Sequence, residues 1–330
     1  MCAASDSAAP SSRRRRCLPW AAALLLPLAG CQADVLDSAG PVSRAEVTIL
    51  AGSMVIMLAI VVPTIVATLA FAWWYRADNP RAKRRPDFAY SGSVELVTWA
   101  IPILTVTLLG GVAWIGSHEL DPAKPLASKA KPLQVQVVSL DWKWLFIYPE
   151  LGVAAVNRLD IPAGVPVHFQ LTSSSVMNSF FVPKLGSQLY NMNGMAGDLN
   201  LVADKPGTYT GLSVHYSGDG FSDMFFQVHA LPQEGFDAWV AETRKAGPVL
   251  DAASYAELAK QSTKVAPYTY RAADPKLFEG IVTLAVPPGP GPTGQPGQAP
   301  PDPAPQAQRK VSADMQAALA SGALCIAGEQ

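Results

Sequence analysis

The stretch VTILAGSMVIMLAIVVPTIVATLAFAWWY, residues 47–75, decides the first part of the fold, because it carries no charged side chain. A helix needs roughly 20 apolar residues to cross the hydrocarbon core of a membrane, and this stretch exceeds that length. It closes on Trp73, Trp74 and Tyr75, aromatic residues of the kind found at membrane interfaces. The pattern predicts a transmembrane helix, which we expect Pro63 to bend.

A second apolar stretch runs from Val94 to Ser117, and Glu95 is its only charged residue. The two stretches predict a transmembrane hairpin over residues 47–117, since a buried pair of soluble helices rarely reaches such lengths. The loop between them, residues 76–93, is rich in arginine and lysine, so the positive-inside rule places it in the cytoplasm. Both ends of the chain are then expected on the outer, periplasmic side.

The N-terminus has the order of a secretory signal over residues 1–30. Arg13–Arg16 form a cationic run, Ala21–Leu28 form a short apolar run, and small residues precede Cys31. This order resembles the bacterial lipobox, which implies a lipoprotein of the bacterial inner membrane, with a palmitate-type anchor on Cys31. Residues 31–46 would then be an external segment. The alternative is an uncleaved tail with a chance cysteine.

The bulk composition agrees with a membrane protein. Hydrophobic residues make up 49% of the 330 residues and charged residues only 15%, which is low for a soluble chain. The formal net charge of −1 gives no indication of nucleic-acid binding. The four cysteines are Cys2, Cys17, Cys31 and Cys325, so neither a disulfide framework nor an internal thiolate metal site is expected.

Beyond the hairpin the hydrophobic period changes to two, as in strands with one buried face. Residues 133–137 alternate as Leu-Gln-Val-Gln-Val, and glycine and proline separate this run from the next ones. The pattern predicts a small antiparallel β-sandwich over residues 118–232. Two further runs are expected to bury one face each: Trp142, Trp144, Phe146 and Tyr148, then Val165, Val167, Phe169 and Leu171.

A helical extension is predicted over residues 233–285. Glu234–Ala246 can bury Phe236, Trp239 and Val240 on one side, Asp251 can cap a second helix, and Pro275–Val282 is a third candidate. Residues 286–330 form a Pro-rich tail that we expect to be disordered, with a weakly apolar helix of unknown role over Lys310–Ile326.

Three segments carry a family resemblance, and they occur in the same order as in the family. Ser139–Pro149 resembles an aromatic strand, Ser175–Ser187 resembles a ligand loop, and Gly207–Gly211 precedes a second ligand loop. Together with the hairpin they resemble subunit II of the cytochrome bo-type ubiquinol oxidases, the quinol branch of the haem-copper oxidases. The resemblance implies a membrane α hairpin, an external cupredoxin-like domain and an aromatic-rich extension.

The segment SVHYSGDGFSDMFFQ, residues 213–227, resembles the loop that holds a dinuclear copper centre in copper-bearing relatives. The family pattern is Cys-x3-Cys-x3-His-x2-Met with a further histidine upstream, and such a centre needs thiolate and imidazole donors. The residues here cannot replace them, so no metal is expected in this chain. Tyr216 is hypothesised to fill the space instead. The lost ligand positions are Asn178, Tyr216, Gly218, Gly220, Met224 and Gln227.

A mononuclear copper site is the alternative for this domain. Its candidate ligands would be His168, His215, His229 and Met224, but a blue-copper site also needs a cysteine thiolate. His168 is moreover expected to point away from the face that buries its neighbours, so we do not expect the site. Trp142 and Trp144 match an aromatic strand near the electron-entry surface of copper-bearing relatives. Without copper beneath them, packing is the favoured role.

Glu95 is the candidate for proton chemistry. The segment Glu95–Pro102 resembles the family segment whose glutamate opens a proton path into the catalytic subunit. An acid at the edge of a membrane helix can instead simply extend to water, so both interpretations stay open.

The resemblance implies a non-redox subunit II of a proton-pumping ubiquinol oxidase, which catalyses nothing alone. Haem b, haem o and copper would lie in subunit I, with subunits III and IV, ubiquinol and membrane lipid as further partners. A cytochrome c oxidase subunit is disfavoured by the missing thiolates. The alternative is a free-standing membrane lipoprotein with a cupredoxin-like binding or scaffold domain.

Overall fold

The structure is a computed structural model that describes residues 34–83 and 86–291. The predicted signal peptide, the lipidation candidate Cys31 and the helix expected over residues 310–326 lie outside these residues. So do Arg84 and Arg85, two arginines of the loop that is predicted to be cytoplasmic.

Two long helices open the described chain: α1 (Pro41–Trp74) and α2 (Gly92–Glu119). Both are long and apolar enough to span a membrane, and their apolar windows are uncovered by the rest of the described chain. The helical pattern continues through both internal prolines. Helix α1 begins six residues before the predicted transmembrane stretch, so part of the expected external segment 31–46 is helical.

A β-sandwich follows the hairpin, and short strands from the C-terminal region join or flank it. The strands are β1 (Leu133–Leu140), β2 (Lys143–Tyr148), β3 (Val153–Val156), β4 (Arg158–Pro162), β5 (Val167–Ser173), β6 (Asn178–Val182), β7 (Gly186–Asn191), β8 (Gly197–Leu201), β9 (Gly207–Ser213), β10 (Phe225–Leu231), β11 (Val249–Leu250), β12 (Tyr268–Tyr270) and β13 (Ala272–Ala273).

One sheet has six strands in the order β12-β3-β2-β1-β5-β8, and the facing sheet has five in the order β4-β10-β9-β6-β7. The predicted β-sandwich is confirmed, but two of its strand pairs are parallel and not antiparallel as expected: β1 with β5, and β10 with β4. Parallel neighbours require long crossover connections, which residue periodicity cannot reveal.

Aromatic side chains fill the space between the two sheets. Trp144 and Phe146 come from β2, and Trp144 meets Phe180 and Phe226 edge-on, with 5.5 Å between ring centroids in each case. Phe180 and Phe226 stack at 5.2 Å. The expectation that Trp142 shares this face is wrong: it sits before β2 with a φ of 66°, which turns the chain away from the strand pattern.

Most of the C-terminal extension packs on the outer side of the six-stranded sheet, whereas its first helix packs at β4 and β10 and adds to the core between the two sheets. Its helices are α3 (Gln233–Thr243), α4 (Ala252–Leu258) and α5 (Leu277–Val282), and Asp251 caps α4 by accepting a hydrogen bond from the Ser254 N–H at 2.9 Å. Phe236 and Val240 of α3 are buried as predicted. Strands β11, β12 and β13 were not predicted, and β12 adds to the edge of the sheet next to β3.

The first residues of the predicted tail pack against the sandwich. Gly289 donates its N–H to the Ser174 carbonyl at 2.9 Å, and Gly291 donates its N–H to the Asp141 carboxylate at 3.0 Å. The packed part of the chain therefore extends beyond the expected boundary at residue 286, at least to residue 291.

Both membrane helices are attached to one edge of the sandwich. The Val42 side chain on the first turn of α1 packs against Gly186, and the Ser43 hydroxyl donates to the Lys184 carbonyl at 2.8 Å. After α2, the Asn200 amide donates to the carbonyls of Pro122 and Ala123 at 3.2 and 3.1 Å.

Candidate functional site

The predicted ligand loop connects β9 to β10 and contains a short 3-10 turn at Phe221–Asp223. Gly218 has a φ of 103°, a backbone conformation that favours glycine. A Cβ on Gly220 would lie 2.4 Å from the ring of Trp142, so this indole occupies the space where a side chain at position 220 would start. The position therefore accepts no side chain while Trp142 stays in place.

Asn178, the position of the upstream ligand, belongs to a buried network of neutral hydrogen bonds. Its side-chain N–H donates to the Val176 carbonyl at 3.2 Å, and its side-chain oxygen accepts from the Ser213 hydroxyl at 3.2 Å. Asn191 donates to the Ser139 hydroxyl at 2.5 Å, and Asn178 approaches the same hydroxyl at 3.4 Å. These bonds engage both side-chain groups of Asn178 without a metal, whereas the side-chain oxygen of Asn191 accepts no hydrogen bond within the described residues.

Ser139 and Asn191 were missed by the sequence reasoning. Asn191 follows an alternating run and looks like an ordinary turn residue, and Ser139 looks like the polar position of a strand. Only the β6–β7 register, which pairs Asn178 with Asn191, brings the two amides together.

The hypothesis that Tyr216 fills the lost copper space is wrong. Its side chain is 64% exposed, and its ring packs edge-on against Phe221 at 5.7 Å. The enclosed side chain is Met224, which is 1% exposed and accepts a weak hydrogen bond from the Ser217 hydroxyl at 3.9 Å. The Trp142 indole N–H donates to the Ser217 carbonyl at 3.0 Å, which closes the loop over Met224.

The residues at the six ligand positions do not fit a dinuclear copper centre. Two are glycines, Tyr216 and Gln227 are exposed, and Asn178 is already fully engaged by neutral partners. Met224 supplies a single thioether, and thioether alone cannot bridge two copper ions as thiolates do. Within residues 34–83 and 86–291, no group of three or more His, Cys, Asp or Glu side chains comes together as a metal site would require.

The histidines of the mononuclear alternative are far apart in the fold. His168 lies on β5, where its ring nitrogens face Asn200 at 3.0 Å and Asp198 at 3.3 Å. His229 lies on β10 beside the Thr208 hydroxyl, and the ring of His215 packs against Tyr190 at 5.8 Å. The structure therefore does not bring these side chains together with Met224.

Glu95 lies in the first turn of α2, and its N–H donates to the Ser91 carbonyl at 3.0 Å. Its side chain is exposed on the helix surface, next to the loop that links the two membrane helices. A carboxylate is favourable at this end of a helix because the first N–H groups are unpaired.

Two buried charged residues near the aromatic strand were also missed. The Lys143 ammonium donates to the Lys260 carbonyl at 2.6 Å and to the Ser262 hydroxyl at 2.5 Å, and burial lowers the pKa of Lys143. Asp141 accepts a hydrogen bond from Ser175 as well as the one from the tail. Lys143 therefore holds the extension on the sandwich, and Asp141 links the tail to Ser175, the first residue of the segment Ser175–Ser187.

Two segments of the chain match known families. Residues 150–231 match the family described as cytochrome c oxidase subunit II, periplasmic domain, and residues 244–289 match the COX aromatic rich motif. A membrane hairpin followed by this sandwich and this extension defines the class of oxidase subunit II proteins.

Two relatives show to which group of oxidase subunit II proteins this chain is similar. The cytochrome bo(3) ubiquinol oxidase subunit 2 of Pseudomonas aeruginosa is 46% identical over 266 residues, which cover 81% of this chain and 80% of that protein. The ubiquinol oxidase subunit 2 of Acetobacter aceti is 47% identical over 259 residues, which cover 78% of this chain and 84% of that protein. The chain belongs to the ubiquinol oxidase subunit 2 family, as its sequence pattern predicted.

Among the solved structures that resemble part of the chain is the periplasmic domain of subunit II of cytochrome oxidase of Bradyrhizobium japonicum, at 20% identity and a TM-score of 0.35. The match covers 36% of this chain and 98% of that chain.

Proposed function

We propose that this chain is a non-redox subunit of a proton-pumping ubiquinol oxidase of the bacterial inner membrane. In the complex, two ubiquinol molecules would reduce one O₂ to two water molecules, with two ubiquinones released. The haem groups and copper belong to partner subunit I, and this chain would anchor and cover that subunit. Subunits III and IV are further expected partners.

One observation carries the non-redox role. The space at position 220 is occupied by the Trp142 ring, and Asn178 is engaged in a neutral hydrogen-bond network. This loop offers neither thiolate nor imidazole to a metal at these positions. Electrons from ubiquinol would therefore reach the haem groups of subunit I without passing through this domain.

The test is purification of the complex through a tag on this chain, with haem spectra, copper counted per complex, and turnover measured. We expect haem absorbance, about one copper per complex, and oxidation of ubiquinol but not of reduced soluble cytochrome c. A count near three coppers, or turnover driven by cytochrome c, would overturn the non-redox role. A tagged chain that carries no haem would favour the free-standing lipoprotein.

Glu95 is proposed as the entry point for protons taken up from the cytoplasm. Its position in the first turn of α2 supports this, because the exposed carboxylate adjoins the loop expected in the cytoplasm. A titratable group at the membrane edge can collect protons from water and pass them to polar groups deeper in a partner.

Glu95→Ala should lower steady-state turnover about tenfold and slow proton uptake, while the haem spectrum stays intact. The control is Glu119→Ala, which removes an exposed acid at the opposite end of the same helix. The role is excluded if Glu95→Ala and Glu119→Ala give the same turnover and proton uptake.

Lipidation of Cys31 is proposed as a third membrane attachment. Its support is the segment that follows, because Lys184 of the sandwich contacts Asp34 at 3.5 Å and Asp37 at 2.7 Å. A lipid only three residues before Asp34 would lie close to the outer end of α1. Labelling with radioactive palmitate should mark the wild-type chain and not Cys31→Ser, and equal labelling of both would refute the assignment.

A further inference from the structure

A cavity of about 350 Å³ lies where the extension meets the six-stranded sheet, and we call it the Lys143 cavity. Its walls come from β2, α4, β12 and the loop between α4 and β12. Small-molecule sites have volumes of roughly 300–1,000 Å³ and combine apolar walls with a few polar groups. The apolar part of the lining consists of Pro248, Leu258, Val265, Tyr268 and Tyr270. Size and lining therefore fit a small ligand with an apolar body.

The charged group of this cavity is a buried lysine without a counter-ion. Lys143 is 1% exposed, and its ammonium meets two neutral acceptors, the Lys260 carbonyl at 2.6 Å and the Ser262 hydroxyl at 2.5 Å. Asp141 attracts the ammonium from a distance, but its carboxylate is bonded to two other residues. In the part of the chain that the structure describes, Lys143 forms no ion pair. Buried charges in proteins are normally paired, so the cavity has a place for an anion.

The polar groups around the cavity have hydrogen-bond donors to spare. An ammonium has three N–H donors, and Lys143 uses two of them on the acceptors just named. The Ser262 hydroxyl accepts from Lys143, and its own hydrogen finds no acceptor among the described residues. The hydroxyls of Tyr268 and Tyr270 lie 3.2 Å apart, and their mutual bond uses one of their two hydrogens. Burial raises the pKa of Tyr270, so this phenol keeps its proton and remains a donor. Spare donors favour a ligand that only accepts, as a carboxylate does.

One carboxylate of the chain also lines the cavity and would repel an anion. Glu257 lies on α4, its side chain is 73% exposed, and its carboxylate pairs with the Lys260 ammonium. Water and ions screen an exposed, paired charge, whereas the buried ammonium of Lys143 acts at a lower dielectric. Lys143 therefore outweighs Glu257 in the choice of the ligand's charge.

We propose that the Lys143 cavity binds a small organic monocarboxylate, whose carboxylate pairs with Lys143 and whose apolar body lies against the tyrosine rings. The proposal does not depend on the proposed function, because this chain alone lines the cavity. The ligand would contact β2, α4 and β12 together, and would thereby hold the extension on the sandwich. A ligand that binds only the folded chain stabilises it by mass action.

The test measures binding of para-fluorobenzoate to the full tagged chain, purified in detergent with its partner subunits, by fluorine NMR. The ligand in detergent alone is the blank. Lys143→Met keeps a long side chain but removes the charge, and should weaken binding about tenfold or more. Lys245→Met is the matched control, because Lys245 is an exposed lysine of the extension outside the cavity, and it should bind as the wild type does. Equal affinity of Lys143→Met and the wild type, or no binding to the wild type, would overturn the proposal.

Two measurements on the wild-type chain cover the case in which Lys143→Met fails to fold. Para-fluorobenzyl alcohol has the same ring without the carboxylate and should bind about tenfold more weakly. Equal or tighter binding of the alcohol would show that apolar contact alone holds the ring, and would overturn the proposal. A cryo-electron-microscopy map with para-iodobenzoate should place the carboxylate beside Lys143, and iodine density only elsewhere would overturn it. Binding that appears only in a chain that stops after Gly291 would overturn it too, because residues 292–330 would then fill the cavity.

Discussion

At the scale of single residues, the contact between Gly220 and Trp142 explains why position 220 of the ligand loop has no room for a side chain. The indole ring takes the place of a side chain at position 220, and its N–H holds the Ser217 carbonyl at 3.0 Å. A single substitution that adds a metal-binding side chain at position 220 would therefore collide with Trp142 before it could reach a metal.

This contact predicts that Gly220→Ala is destabilising. The added Cβ would lie 2.4 Å from the Trp142 ring, and relief of such overpacking costs about 1–3 kcal/mol of unfolding free energy. The measurement is thermal unfolding of the purified chain in detergent. Gly235→Ala on α3 is the control, because its nearest neighbour is 3.7 Å away and alanine favours a helix. Equal melting temperatures for both variants would contradict the predicted clash.

Tyr255 gives a prediction at alkaline pH. Burial raises the pKa of Tyr255 to about 12, whereas an unfolded chain would titrate it near 10. Its contribution to stability is therefore complete below about pH 10 and is lost as the pH rises from 10 to 12. The integrated loss is on the order of 2–3 kcal/mol.

Tyr255→Phe should remove this part of the pH dependence. Unfolding free energies measured from pH 9 to pH 12 should decline less steeply than in the wild-type chain, with Tyr216→Phe as a control that removes an exposed phenol. Parallel curves for Tyr255→Phe and the wild type would show that the buried hydroxyl does not titrate as expected.

At the scale of elements, the sequence predicts what periodicity can express. Three features could be predicted from the sequence: the alternation of β1, the two long apolar stretches and the Asp251 cap. Each depends only on neighbouring residues within one element. The two parallel strand pairs were not, since they depend on which distant strands meet. Strands β11 and β13 have only two residues each, too few for a period to show.

The start of α1 was missed for a related reason. Residues 41–46 contain Arg44 and Glu46, so they lie outside any apolar stretch. They are helical because the first turn packs on the sandwich. There the Arg44 guanidinium forms an ion pair with the Asp204 carboxylate at 2.5 Å, and the Ser43 hydroxyl donates a hydrogen bond to the Lys184 carbonyl. Tertiary contacts therefore extend the helix beyond the membrane segment.

Gly186→Ala should loosen this junction. A Cβ on Gly186 would lie 2.7 Å from Val42, and the φ of +152° is one that other residues rarely adopt. Amide exchange should become faster at Ala39 and Ser43, whose N–H groups donate to the carbonyls of Lys184 and Leu185. Gly152→Ala, also at positive φ but in open space, is the control. Unchanged exchange at Ala39 would refute a role for Gly186 in the junction.

At the scale of the whole molecule, the extension and the sandwich form one packed unit. The second hydrophobic cluster combines Val138, Leu140 and Leu145 of the sheet with Tyr255 and Phe278 of the extension. Val286 packs against the same cluster, and Gly289 and Gly291 are tied to the sandwich. Removal of the segment that contains Val286, Gly289 and Gly291 should therefore lower the stability of the sandwich, although the sandwich strands lie far from this segment in sequence.

Two truncations test this. A chain that stops after Gly291 should keep the wild-type melting temperature, because every described contact remains. A chain that stops after Thr283 loses the Val286 packing and the Gly289 and Gly291 hydrogen bonds, and should melt several degrees lower. The opposite order of melting temperatures would show that residues 292–330 matter more for stability than the segment before them.

Helix α1 has 34 residues, which corresponds to about 50 Å, whereas the hydrocarbon core of a bilayer is about 30 Å thick. The first turn of α1 packs against the sandwich, so a tilt of the helix is expected to move the sandwich with it. If a thinner bilayer tilts this helix, the sandwich should rotate by a similar angle. The thickness of the bilayer would then influence the orientation of the sandwich relative to the membrane.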